Sequence, residues 1–295
     1  MNNDRIQEIL DLMEEARLDY FLISDPQSIA YCTGYYNDPH ERMFVFMVSK
    51  HGNHTLFMND LFYLEHDLDV NIVWHKDGQD AIQTIVDEMH FPGRIGIDKN
   101  WASHFLLDLM KKLPDAKYIN ASPCVDLVRM KKDLQEQVLM IESSKINDAV
   151  MEEIIPFIQE GVTEKQLAKK LDELFFNHHS TCYGAIVAFG KNAADPHHEN
   201  DDTPLRKGDC VLIDMGCVYK GYCSDMTRTF FYGGIREDEM KVYEIVKKAN
   251  EAAEAMIKPG VKLSDIDKCA RKVISDEGYG QYFTHRLGHF IGRDV

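Results

Sequence analysis

Asp214 and Asp225 are the residues from which the chemistry of this chain has to be argued. They lie in VLIDMGCVYKGYCSD, residues 211–225, where two apolar runs flank a short polar turn. Val211, Leu212, Ile213 and Met215 surround Asp214, so its strand reads as buried, an expensive place for a carboxylate. Folded as a hairpin with Tyr219 and Lys220 as the turn, the segment places Asp214 directly across from Asp225. Opposed residues on an antiparallel pair share a face, with Cβ atoms about 5 Å apart. Two carboxylates about 4 Å apart repel by about 4 kcal/mol at an effective dielectric of about 20. A shared proton, a basic partner or a metal ion would offset this. A one-residue slip in register would instead send the two aspartates to opposite faces.

Two further segments carry imidazoles. FGKNAADPHHENDD, residues 189–202, is rich in turn formers and holds His197 and His198. FTHRLGHFIGRDV, residues 283–295, holds His285 and His289, with Gly288 and Gly292 allowing close backbone approach. Taken alone, a histidine pair in a polar loop reads as solvated surface, and a single histidine among glycines reads as structural.

The elements that must position these residues follow from periodicity. In the first part of the chain, helical spacing predicts a helix from Asn3 or Asp4 to about Arg17, and further helices over 80–90 and 103–113. Strands are expected over 19–23, 43–49, 54–58, 71–75, 94–98 and 117–120. Asp25-Pro26 reads as a strand break and Gly34 as a turn. Alternating strands and helices make residues 1–122 an α/β domain. Pro123 and the basic Arg129, Lys131 and Lys132 mark a linker over 123–132. A long amphipathic helix follows from Asp133 to about Gln159, with Val138, Ile141, Ile146, Val150 and Ile154 as its apolar stripe. Thr163 and Gln166 form a capping box that opens a second helix through about Phe176. Strands are then expected over 184–189, 209–217, 221–224 and 226–232, followed by helices over 237–257 and 264–277.

The 295 residues suggest about two domains. A formal net charge of −16 lacks the electrostatic footprint for phosphate backbones, so nucleic acid is excluded as a partner. No apolar run approaches the ~20 residues that span a bilayer. MNNDRIQEIL has no secretory n-region and h-region, and the odd count of seven cysteines fits reduced thiols. A cytoplasmic protein without membrane partners is the expectation.

Together PHH, LIDMG, YCSDMTRTF and HRLGHFIG, in this order and spacing, resemble the metallopeptidase family of prolidases (Xaa-Pro dipeptidases), Xaa-Pro aminopeptidases, methionine aminopeptidases and creatinase. The resemblance covers residues 133–295, and DYFLISDPQSIAYCTGYY extends it over the first domain. It implies a two-domain α/β and α+β chain: a creatinase-like N-terminal α/β domain, then an incomplete pita-bread catalytic domain over 133–295. It implies Asp214, Asp225 and His289 as ligands of two divalent ions, with Mn²⁺ expected and Co²⁺ or Zn²⁺ also suited to such donors. It implies His197 as the catalytic histidine that contacts substrate and steadies the transition state, and His285 as a substrate-binding residue near the substrate's proline end or its carboxylate. Arg286 stands where glycine is common. Such ions lower the pKa of a water and polarise a scissile carbonyl.

The family uses two aspartates, one histidine and two glutamates as ligands, and this chain supplies the first three. The implied function is hydrolysis of the Xaa-Pro bond in a dipeptide or longer peptide by a homodimer, impaired in the 295-residue form. The alternatives are a creatinase-like amidohydrolase and a non-catalytic binding protein on the same fold. The retained Asp214, Asp225 and His289 argue against a metal-free route.

Overall fold

The first unit is built around β1 (Tyr20–Ile23), whose four residues are all buried because both faces of the strand are covered. The computed structural model describes residues 1–90 and 92–295. They divide into two units, Met1–Lys131 and Lys132–Val295.

In the first unit β1 pairs antiparallel with β2 (Val45–Ser49), which pairs antiparallel with β3 (Thr55–Asn59). β4 (Asn71–His75), β5 (Arg94–Ile97) and β6 (Lys117–Asn120) complete a six-stranded sheet in the order β4-β3-β2-β1-β5-β6. Alternation along β1 sorts the core. Phe21 and Ile23 face α1 (Asn3–Glu15), while Tyr20 and Leu22 face the layer that includes α3 (Ala81–Asp87) and α4 (Ser103–Lys112).

Two stretches differ from expectation. The Asp25-Pro26 break is the start of a helix, α2 (Pro26–Thr33). Asp25 caps it by accepting from the Ser28 N–H, Pro26 sits where a missing N–H costs nothing, and Gly34 ends it at φ +82°. The segment expected as a linker is largely helix, α5 (Ser122–Met130). Its Val125 and Val128 are buried in the core that also holds Ile9 and Met13 of α1. Composition marked a boundary there, but apolar spacing within it seats the helix in the first unit.

Cys32 lies at the centre of that core, and burial pushes its thiol from an ordinary 9.0 up to about 12. The fold therefore prefers the neutral thiol. Its contribution to stability is complete below pH 9 and is lost as pH rises towards 12. The melting temperature of wild-type protein is expected to fall more steeply than that of Cys32→Ala between pH 9 and 11. Parallel melting curves for the two proteins would contradict this.

The second unit opens with α6 (Leu134–Ile154), started by a capping box between Asp133 and Glu136. α7 (Glu164–Asn177) follows, with the expected Thr163–Gln166 capping box. Both helices pack on a three-stranded antiparallel sheet in the order β12-β9-β8, made of β8 (Ile186–Phe189), β9 (Cys210–Met215) and β12 (Met226–Phe231). A second three-stranded set has the order β11-β10-β7, from β7 (Thr181–Cys182), β10 (Cys217–Tyr219) and β11 (Tyr222–Cys223). α8 (Glu237–Glu254) and α9 (Leu263–Asp276) pack on each other through Ile245, Ala249, Ala253, Ala270 and Ile274.

The stripe expected on α6 is only half right. Val150 and Ile154 are buried, but Val138 and Ile141 are more than half exposed. Glu136, Ser143 and Asn147 take their place inside. Each has a partner there: Tyr222 Oη donates to Glu136, Ser143 Oγ to the Cys217 carbonyl, and Asn147 Nδ2 to the Met215 carbonyl. Hydropathy cannot foresee a polar face that is buried because the strands offer it hydrogen bonds.

Candidate metal centre

The hairpin that carries the aspartates turns at Lys220-Gly221, one residue later than expected. Val218 pairs with Cys223 and Tyr219 with Tyr222. Lys220 and Gly221 both have positive φ, +48° and +82°, as a type I′ hairpin turn requires. The later turn moves the register by two residues. Asp214 lies opposite Thr227, not Asp225. A two-residue shift preserves the face, so the aspartates remain on one side as diagonal neighbours, a geometry with Cα atoms roughly 7–8 Å apart. The strand is also less enclosed than its composition suggested. Val211, Ile213 and Met215 are buried, whereas Leu212 and Asp214 lie on the half-exposed face.

Gly216 separates β9 from β10. A Cβ there would collide with the Tyr183 hydroxyl and the Ser224 carbonyl oxygen. Tyr183 Oη donates to that carbonyl at 2.7 Å, directly before Asp225. Burial and then the charges of Asp225 and Asp214 push the Tyr183 phenol upward, so it stays a neutral donor. Asp214 Oδ1 accepts from Thr227 Oγ1 at 2.6 Å. Asp225 Oδ2 lies 3.3 Å from His289 Nε2. Burial first, and then repulsion from Asp214, raise the Asp225 carboxyl, while His289 opposes the rise.

His289 is held in one tautomer. Its Nδ1 lies 2.9 Å from the Phe290 carbonyl oxygen, which can only accept, so Nδ1 carries the proton. In the neutral ring the Nε2 lone pair then points towards the Asp225 carboxylate. Two acceptors facing one another at this distance call for a proton or a cation between them. His285 Nδ1 donates to the Arg286 carbonyl in the same way, at 2.6 Å. The rings of His197 and His285 have centroids 6.0 Å apart.

The donor chemistry of Asp214, Asp225 and His289 fits hard or borderline divalent ions, and the Asp225 carboxyl is raised by its burial first and by the unneutralised Asp214 second. Among the described residues the tightest cluster of possible ligands lies elsewhere. Atoms of Glu164, His198 and Asp201 lie within 4.8 Å of one another. Glu164, buried at the first position of α7, had no signal in the sequence beyond its place in a capping box. Thr227 had a weak one, standing two residues after Asp225 on an alternating strand.

Residues 138–295 match the profile of metallopeptidase family M24, and residues 5–131 that of the creatinase/prolidase N-terminal domain. The chain belongs to metallopeptidase family M24. An uncharacterized peptidase of Staphylococcus aureus is 31% identical over 98% of this chain and 83% of its own. Among solved structures, a dipeptidase of Pyrococcus horikoshii is similar at 35% identity and a TM-score of 0.88, over 99% of this chain and 83% of that one. The prolidase of Thermococcus sibiricus aligns with a TM-score of 0.93 at 30% identity, over 100% of this chain and 83% of its own. The two-domain architecture of this M24 peptidase is thus that of the prolidase structures, and membership implies divalent metal. Among the described residues no helix is long and apolar enough to cross a membrane.

Proposed function

We propose that this M24 chain is the bulk of a dinuclear metallopeptidase that hydrolyses the Xaa-Pro bond, with residues 133–295 as its catalytic half. The observation that carries this is the meeting of His289 Nε2 with the Asp225 carboxylate at 3.3 Å, on the face that also bears Asp214. Asp214, Asp225 and His289 would hold the ions, Mn²⁺ first. Bound there, divalent ions supply a water of lowered pKa and polarise the scissile carbonyl.

The remaining work falls to side chains of the chain. Thr227 keeps one oxygen of Asp214 occupied and so orients the other. The Phe290 carbonyl fixes the His289 tautomer. His197 and His285 are exposed and near enough to meet one small ligand from two sides. His197 steadies charge that develops on the carbonyl oxygen, and His285 meets the proline end of the substrate. Leu134, Val138 and Ile141 leave an exposed apolar stripe on α6, which supports a homodimer that covers it.

The test is proline release from Xaa-Pro dipeptides by a chain extended past Val295 to supply two glutamates. Activity is expected with Mn²⁺ or Co²⁺, lost on chelation and restored by the ion. The 295-residue chain beside it, holding three of the five expected ligands, is expected to release little proline and to bind Mn²⁺ weakly. No hydrolysis of any Xaa-Pro substrate by the extended chain would sink the reading, and activity that resists chelation would point to a creatinase-like route. Light scattering on the same preparation should give the mass of two chains; a single-chain mass would remove the dimer.

A further inference from the structure

We propose that Glu164 and His198 are a positioning pair for His197, and that the Glu164 carboxylate is the fixed point from which the His197 loop hangs. Glu164 is fully buried, and a carboxylate is stable there only if its oxygens are hydrogen-bonded. Four donors supply this. Oε1 accepts from the Phe189 N–H at 2.8 Å and from Asn192 Nδ2 at 2.9 Å. Oε2 accepts from His198 Nε2 at 2.6 Å and from the Asp201 N–H at 3.1 Å. A carboxylate has about four lone-pair directions, so Glu164 is saturated. The Asp201 carboxylate is turned to the Thr203 N–H at 2.6 Å. The tight Glu164–His198–Asp201 group is therefore held together by its own hydrogen bonds, as a clamp on the loop.

The four donors are spread along the loop, at its first residue, three residues in, and at 198 and 201 near its end. Asn200 ties the same end to the neighbouring strand, accepting from the Val187 N–H and donating to the Ala185 carbonyl, both at 2.7 Å. His197 lies inside these fixed points, its N–H bonded to Asp195 Oδ1. Because His198 turns inward to Glu164, with 13% of its side chain exposed, its neighbour His197 is left outside, beside His285. Glu164 accepts only, so His198 Nε2 carries the proton of the shared bond. The second histidine of the PHH segment thus orients the first.

The inference rests on the reading of His197 as a residue that meets substrate, and the experiment separates the two. In the extended, Mn²⁺-loaded protein, His198→Ala is expected to lower kcat for an Xaa-Pro dipeptide about 10–100-fold. KM should move by less than about threefold, with Mn²⁺ affinity unchanged. His198→Gln, whose amide nitrogen can still donate to Glu164, should restore kcat to within about threefold. Wild-type kcat in His198→Ala, or a loss of kcat that His198→Gln does not repair, would overturn the proposal. Amide hydrogen exchange on the metal-free 295-residue chain gives a readout without activity. His198→Ala should lose protection at His198 and Asp201 while β9 keeps its own, and His198→Gln should regain it. If the extended wild type hydrolyses nothing, the reading of His197 fails, and exchange still decides the clamp. Unchanged protection in His198→Ala would overturn it.

Discussion

Asp225→Asn is expected to abolish Mn²⁺ binding and to lower Xaa-Pro hydrolysis by the extended chain at least about 10³-fold, because a ligand shared with the His289 nitrogen contributes several kcal/mol of charge stabilisation. Its effect on the metal-free fold should have the opposite sign. Burial and the Asp214 charge raise the Asp225 carboxyl above its ordinary 3.8. A group raised in the folded state stabilises only while protonated, below that ordinary value. At pH 7, well above that ordinary value, the raised carboxyl opposes folding, so a neutral amide should leave the apo melting temperature equal or higher. A residue kept for stability would behave the other way. Isothermal titration with Mn²⁺ and thermal melting with chelator measure the two arms. Unchanged Mn²⁺ affinity in Asp225→Asn would remove Asp225 from the site.

Gly216→Ala is the second large effect, and it acts through backbone. The added methyl meets the Tyr183 hydroxyl and the Ser224 carbonyl. Tyr183 could swing away, but the carbonyl belongs to the strand that leads into Asp225. Overpacking against atoms that cannot yield costs about 1–3 kcal/mol, a loss of roughly 3–10 °C in melting temperature for a unit of this size. Adding Tyr183→Phe to Gly216→Ala should recover little of it. The same shift should move Asp225 from His289 and weaken Mn²⁺ binding, which a structural glycine far from the site would not do. A melting temperature and Mn²⁺ affinity equal to wild type would show that the hairpin yields at no cost.

Both predictions turn on the strand pair β9 and β12, where expectation and structure differ most instructively. Alternating apolar residues placed Asp214 and Asp225 on one face, and that survives because a face depends only on the parity of the register. The partner depends on where the chain turns. Tyr219-Lys220 and Lys220-Gly221 are both polar pairs on paper, and only the second adopts positive φ at both positions. The tertiary result is Thr227, not Asp225, across from Asp214.

What the sequence determined alone was local or motif-borne: the capping box at Thr163, most strands of the first unit and the M24 family, together with five candidate residues for the site. Of those five, the structure brings Asp225 to His289 and His197 to His285. Short-range physics suffices for caps and strands, since their partners lie within a few residues. Tertiary structure alone decided the buried polar face of α6, the helical identity of residues 122–130, and the clamp at Glu164. Each depends on groups far apart in the chain: Glu136 and Tyr222 are 86 residues apart, and Glu164 and His198 are 34 apart. A buried carboxylate is set by donors that only the folded chain brings to it, and no periodicity in its own segment records them.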